Sequence, residues 1–267
     1  MKLELRTQVT DSQQLRELAS LFVEEFLNKV GVDLRPVVNL FFQEEQKEAH
    51  AAQQKVAEPI KSKIENGELL IHFSEKDLEG IPVLALQGWL DWELGSFLLA
   101  LQTERFRYNY SKLIQPLFPL SGSAGNVVRD FVHRLESGLK SHLVTKIAIH
   151  ADHAMAQFYF HFFRLHSDPE EVEDYCLFAP HSWSRLLFLA DRLKEYMPVC
   201  LLDQQGVFPH LKSFWWSLHE FLAQKDRHML EELAEIPVRF NGEPYPLQLL
   251  EMFKVSKVGF VDRCYPE

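Results

Sequence analysis

Residues 67–102, GELLIHFSEKDLEGIPVLALQGWLDWELGSFLLALQ, carry the two periodicities that set the fold class. Asn66-Gly67 on one side and Ser74 on the other bound Leu69, Leu70, Ile71 and Phe73, an apolar run of strand length. A loop through Gly80 follows. From Trp89 to Gln102, Leu90, Leu94, Phe97, Leu98 and Leu101 recur at helical spacing. Their apolar arc is broad enough to bury the helix on more than one side. A short strand beside a central helix predicts an α+β fold.

Working toward the N-terminus, residues 36–66 are rich in Gln, Glu, Ala and Lys, and read as a solvated helix broken near Pro59. Asp11 followed three residues later by Gln14 forms a capping box, and Leu15, Leu18, Ala19, Phe22, Val23, Phe26, Leu27 and Val30 then mark a helix ending near Gly31. Leu3 to Val9 alternates apolar and polar residues as a half-buried strand does. Toward the C-terminus, Ser121 to Asn126 reads as a loop capping a helix that runs roughly to Leu143, and Thr145 to Ile149 as a further strand candidate. Asp152 is then expected to cap a helix with Met155, Phe158, Tyr159, Phe162 and Phe163.

The last third is a helical array. Pro169 suits a first helical position, and Ser182 caps a helix expected to stop before Pro198. Further helices are predicted over 209–223, 226–235 and 246–257. In the pair Trp215-Trp216, helical geometry sends one indole to the core and leaves the other partly exposed. The fold is therefore expected to be predominantly α-helical, with a small sheet packed against helices and a helical C-terminal half. No repeat or Gly/Ser linker divides the chain, so one compact unit over 1–267 is preferred. If it divides, the expected parts are an α+β part over 1–166 and a helical part over 167–267.

Composition narrows the function. Of 267 residues 46% are hydrophobic, with 21 Phe, 7 Tyr and 5 Trp, ample for a buried core. A formal net charge of −10 disfavours sequence-independent nucleic-acid binding, which relies on Lys and Arg displacing counterions. The most hydrophobic window, Ile81 to Leu101, carries Asp91 and Glu93, each costing about 2.5–3.5 kcal/mol at a bilayer centre, so no membrane span is expected. The start, Met1-Lys2-Leu3-Glu4-Leu5-Arg6, lacks the apolar run of a secretory signal. Cys176, Cys200 and Cys264 are odd in number and widely spaced, as suits reduced thiols. A cytoplasmic location is expected.

A strand, a Gly80-Ile81-Pro82 loop and then a helix bearing Leu90-Asp91-Trp92-Glu93-Leu94-Gly95-Ser96 resemble the active-site region of the zincin metallopeptidases, whose helix carries His-Glu-x-x-His. That motif sets two imidazoles one helical turn apart on a zinc ion, with the Glu as general base. The resemblance covers about 35 residues. It places Trp92 and Ser96 at the two ligand positions and Glu93 at the general-base position. Neither an indole nor a neutral hydroxyl replaces an imidazole on zinc, so the resemblance implies a scaffold without that zinc site. Read without the resemblance, Asp91 and Glu93 are polar residues interrupting a buried helix, as hydrogen-bond partners for neighbouring elements.

The densest histidine run contains His142, His150, His153, His161 and His166, and His150-Ala151-Asp152-His153 has the most ligand-like spacing. Two imidazoles three apart lie on adjacent turns if both are helical, with Asp152 between them to orient one. Asp130, His133 and Glu136 are candidate helpers. The alternative is local: His150 ends a strand, Asp152 caps a helix, and His153 and His161 bond to nearby groups. The loop at 121–126 lacks both the Gly-x-Gly-x-x-Gly and the P-loop patterns, and reads as a cap and not a phosphate cradle.

Three functional expectations follow. The first is a noncatalytic zincin-like scaffold, without cofactor, that binds a peptide or protein partner beside Trp92–Ser96. The second is a hydrolase using a divalent metal such as zinc at His150 and His153. The third is a structural or oligomerising helical protein.

Overall fold

The computed structural model describes residues 8–33, 37–43, 59–104, 123–165, 169–178, 182–241 and 245–256. Among them the chain is predominantly helical with one three-stranded mixed sheet, an α+β architecture. Contact density groups the chain into two compact units. The first takes residues 1–100 and 144–164, the second 101–143 and 165–267.

The first unit opens with α1 (Ser12–Val30). Asp11 accepts a hydrogen bond from the Gln14 backbone N–H at 2.8 Å, and Gln14 Oε1 reaches back to the Thr10 N–H at 2.7 Å, one residue earlier than the expected box. Gly31 closes the helix in the left-handed region at φ 73, a conformation that costs glycine nothing. Three strands follow, β1 (Val38–Gln43), β2 (Ile60–Glu65) and β3 (Glu68–Ser74). The order is β1-β3-β2, with β1 parallel and β2 antiparallel to β3. Asn66 at φ 52 and Gly67 at φ 84 join β2 to β3 in a two-residue turn with both centres left-handed, the geometry that Asn-Gly favours in hairpins.

Within the described residues, the helix expected over 36–66 is replaced by β1 and β2. β2 exposes every residue after Ile60, so backbone pairing, not an apolar stripe, holds it in place. Of the expected N-terminal strand, residues 3–7 lie outside the described residues. Gln8 bridges Pro82 and Val9 pairs with Gly80 and Ile81, away from the three-stranded sheet.

After the single turn α2 (Glu75–Leu78), α3 (Val83–Glu104) carries the unit's core. Ala85, Leu86, Trp89, Leu90, Leu94, Phe97, Leu98 and Leu99 are all buried, so the helix is apolar on nearly every side. α4 (Ser123–His150) contributes its last residues to this unit, and α5 (Ala154–Arg164) completes it. The strand expected at 145–149 is the last part of α4. Its β-branched residues alternate in sequence, but Ser141, Val144, Thr145 and Ala148 are buried at helical spacing, and that face decides. Two missing side chains let the helices close. A Cβ on Gly88 would lie 2.2 Å from the Ala156 carbonyl oxygen, and one on Gly95 would lie 3.0 Å from Val144 Cγ1.

The second unit holds the rest of α4 with α6 (Pro169–Phe178), α7 (Ser182–Gln204), α8 (Leu211–Leu218), α9 (Gln224–Arg239) and α10 (Tyr245–Ser256). Pro169 is the first helical residue of α6, as its fixed φ and missing N–H favour. α7 passes through Pro198 without stopping. Leu193, Tyr196 and Met197 before it and Val199, Cys200 and Leu202 after it are buried, and this packing outweighs the roughly 3 kcal/mol that an interior proline costs. Trp215 is fully buried and Trp216 half-buried, the division that their adjacency predicts.

Candidate functional site

The motif residues occupy the middle of α3. Trp92 is half-buried, with its ring centroid 5.4 Å from that of Phe160 and 5.7 Å from that of His161 on α5. Ser96 is buried and Gly95 lies against Val144. Glu93 accepts a hydrogen bond from the Ser62 hydroxyl of β2. At the two ligand positions an indole and a small hydroxyl take the place of imidazoles, and both serve packing.

Immediately before Trp92 stands an arrangement that the sequence did not reveal. Asp91 is completely buried, and both of its carboxylate oxygens lie 3.0 Å from Nδ1 of His153. A carboxylate only accepts, so Nδ1–H donates, and this fixes the orientation of the ring. The other nitrogen, Nε2, has two neighbours of opposite character. Gln87 Nε2 of α3 lies 3.4 Å away and Glu25 Oε1 of α1 lies 3.6 Å away. Glu25 is 42% exposed while His153 is almost wholly enclosed, so the chain Asp91–His153–Glu25 runs from the core toward solvent. Gln157 of α5 donates from its amide to the Gly88 carbonyl at 2.9 Å.

Burial pushes the Asp91 carboxyl up to about 6, against the pull of His153. For His153, desolvation works to lower the imidazole, but the hydrogen bond and charge of Asp91, with those of Glu25, more than offset it and the net direction is up. The two groups form a tightly coupled pair in which the imidazolium is favoured by a carboxylate on each side. His161 behaves oppositely. Complete burial without a counterion pushes it down to about 3, so it is a neutral ring, 3.1 Å from Thr145 Oγ1.

His150 and His153 do not share a helix. His150 ends α4 and is exposed, with Nδ1–H donating to the Lys146 carbonyl at 2.7 Å, whereas His153 precedes the first residue of α5. Between them Asp152 adopts φ 62 and turns its carboxylate to Lys29 Nζ of α1 at 2.9 Å, an ion pair in place of the expected helix cap. Among the described residues no group of three or more His, Cys, Asp or Glu side chains is placed to hold a metal ion. Of the candidate helpers, Asp130 pairs with Arg134 one turn on in the second unit.

The second unit has its own buried acid. Asp226 is fully enclosed, accepts from the Tyr175 hydroxyl and Arg185 Nε, and pairs with the Arg185 guanidinium. Tyr175 in turn accepts the Ala223 N–H at 3.0 Å, so the set ties α6, α7 and the start of α9 together. An open cleft of about 490 Å³ is lined by Ser213, Trp216, Gln224, Arg227, His228 and Glu231. Its two strongest charges are already engaged. Arg227 donates to the Leu222 and Glu220 carbonyls and covers Trp216 at 5.6 Å, and Glu231 pairs with Lys212 at 3.1 Å.

Asp91 was visible in sequence as one of two acids interrupting an apolar helix, and His153 as half of a close histidine pair. Nothing local joined them, since 62 residues separate the two. Among the described residues no helix is long and apolar enough to cross a membrane. Compared with models of known families, with curated proteins and with solved structures, the chain gives no match.

Proposed function

We propose that the chain is a noncatalytic, zincin-like protein that acts by binding a peptide or protein partner in a cytoplasmic setting, without a resident cofactor. The observation that carries this reading is that both acids of the motif, Asp91 and Glu93, are already engaged. Asp91 is held by His153, and Glu93 is bonded by Ser62. Trp92 and Ser96 supply no ligand at the positions where a zincin presents imidazoles, and Trp92 instead packs on Phe160 and His161. The free thiols of Cys176 and Cys200 suit a reducing compartment, and the net charge of −10 argues against nucleic acid as partner.

The surface that best suits a partner lies on α5, one layer out from Trp92. Phe162 and Phe163 are 45% and 54% exposed, and Phe163 rests edge-on against Trp89 with centroids 6.0 Å apart. Aromatic side chains are enriched in the buried centres of interfaces.

The test uses full-length protein purified without a His tag. Metal analysis is expected to find no stoichiometric zinc, and a displayed peptide library is expected to yield binders whose affinity drops at least about tenfold in the F162S/F163S variant, with an unchanged melting curve. Stoichiometric metal that is lost in His153→Ala would instead favour a metal-dependent hydrolase. Binders indifferent to both phenylalanines would remove α5 as the docking surface.

A further inference from the structure

His153 Nε2 faces two groups that cannot serve it in the same protonation state. Glu25 Oε1, at 3.6 Å, is an acceptor and suits a charged ring that carries Nε2–H. The Gln87 amide nitrogen, at 3.4 Å, is a donor and suits a neutral ring with a lone pair at Nε2. Asp91 holds Nδ1–H in either state, so the ring stays in place while its outer nitrogen changes partner. Glu25 belongs to α1 whereas Gln87 and Asp91 belong to α3. The choice at Nε2 is therefore a choice between an attachment across two helices and one within the α3 side of the unit.

We infer that His153 is a pH-operated latch: charged, it fastens α1 to the α3–α5 pair through Glu25, and neutral, it turns its bond to Gln87 and releases that hold. The ionisable groups around it are Asp91 from α3, Glu25 from α1, and Asp152 beside it, whose charge is matched by Lys29 of α1. Gln157 of α5 and the Phe26 ring of α1, 6.1 Å from the imidazole, complete the surroundings without charge. The sign follows from the raised His153. Its contribution is complete below the ordinary histidine value of 6.5 and is lost as pH rises through the folded-state value. The latch is closed in mildly acidic solution and open in alkaline solution.

The test follows the His153 ring by NMR across pH 5–9 in full-length wild type, Glu25→Gln and Gln87→Leu, with hydrogen exchange of the α1 amides measured alongside. Glu25→Gln keeps an acceptor oxygen but removes the negative charge that favours the imidazolium, and is expected to lower the titration midpoint by about half a pH unit, the size of a partly exposed ion pair. Gln87→Leu removes the partner of the neutral ring and is expected to raise it. In wild type, α1 protection, corrected for intrinsic exchange, should fall as pH rises through the midpoint, and this fall should be clearly smaller in Glu25→Gln, which keeps the acceptor but loses the charge. Glu25 is half-exposed, so that variant leaves the core intact. General loosening of the fold would move both midpoints the same way. Equal or same-direction shifts, or α1 protection that ignores the titration, overturn the proposal.

Discussion

Replacing Gly88 with alanine should loosen the first unit, although the same exchange at an uncrowded helical position adds stability. In an open helix interior alanine is favoured over glycine by about 0.5–1 kcal/mol. At residue 88 the added methyl would lie 2.2 Å from the Ala156 carbonyl oxygen, 2.7 Å from Phe160 Cβ and 2.8 Å from the Ala156 carbonyl carbon. Ordinary contact begins near 3.4 Å, so α3 and α5 must part by about 1.2 Å, and the atoms in the way are largely backbone that cannot rotate aside. Overpacking of this kind costs about 1–3 kcal/mol. The separation also stretches the 2.9 Å bond from the buried Gln157 amide to the Gly88 carbonyl, and a buried donor left unpaired costs about 1–3 kcal/mol more. Set against the helix-propensity gain, the net loss should be about 1–5 kcal/mol. Urea denaturation followed by tryptophan fluorescence reads this as a lower midpoint with little change in slope. A Gly88→Ala protein as stable as wild type would mean that the two helices do not meet at this residue, and the packing of the unit would have to be redrawn.

Other outcomes are equally open to measurement. Asp91→Ala strands His153 in a site built for its charge and should cost about 3–5 kcal/mol in denaturation, as should His153→Ala, while the double variant should lose much less than their sum because no charge is left unpaired. Arg16 holds the Glu75 carboxyl below its usual range, so this pair contributes above the unfolded value of 4.5 and the benefit is lost as pH falls; Glu75→Gln should flatten the acid limb of a stability–pH curve. Burial pushes the Cys200 thiol up to about 11, whereas Cys176 is exposed. Alkylation at pH 8 followed by peptide mass analysis should therefore label Cys176 well before Cys200.

Where one face of an element decides its state, the sequence was readable. α1 follows from its Asp11 cap, its apolar stripe and Gly31, and β3 from its run of Leu and Ile between turn residues. The β1 and β2 strands were hidden because strands at a sheet edge owe their place to a neighbour's backbone. Only Ile60 of β2 is buried, and Lys61, Ser62 and Lys63 carry no preference that marks a strand. α4 misled in the other direction, because Thr145, Ile147 and Ile149 look like a strand until the burial of Val144 and Ala148 shows which face the core needs. The same limit governs the site. Glu93, Trp92 and Ser96 could be placed on a helix from their spacing, but the partner of Asp91 lies 62 residues on, and only the packing of α3 against the turn before α5 brings it near.

Because α3 is oily around its whole circumference, water gives it no instruction about which way to turn. Its rotation must come from steric notches and polar pegs: bare backbone at Gly88 and Gly95, seven residues apart on one face, and the carboxylate of Asp91 locked to an imidazole. Leucines along this helix are interchangeable in principle with other bulky apolar residues, since each direction is equally dry. The two glycines and the fully buried Asp91 are not, and a chain that lost them would keep its helix while losing its bearing.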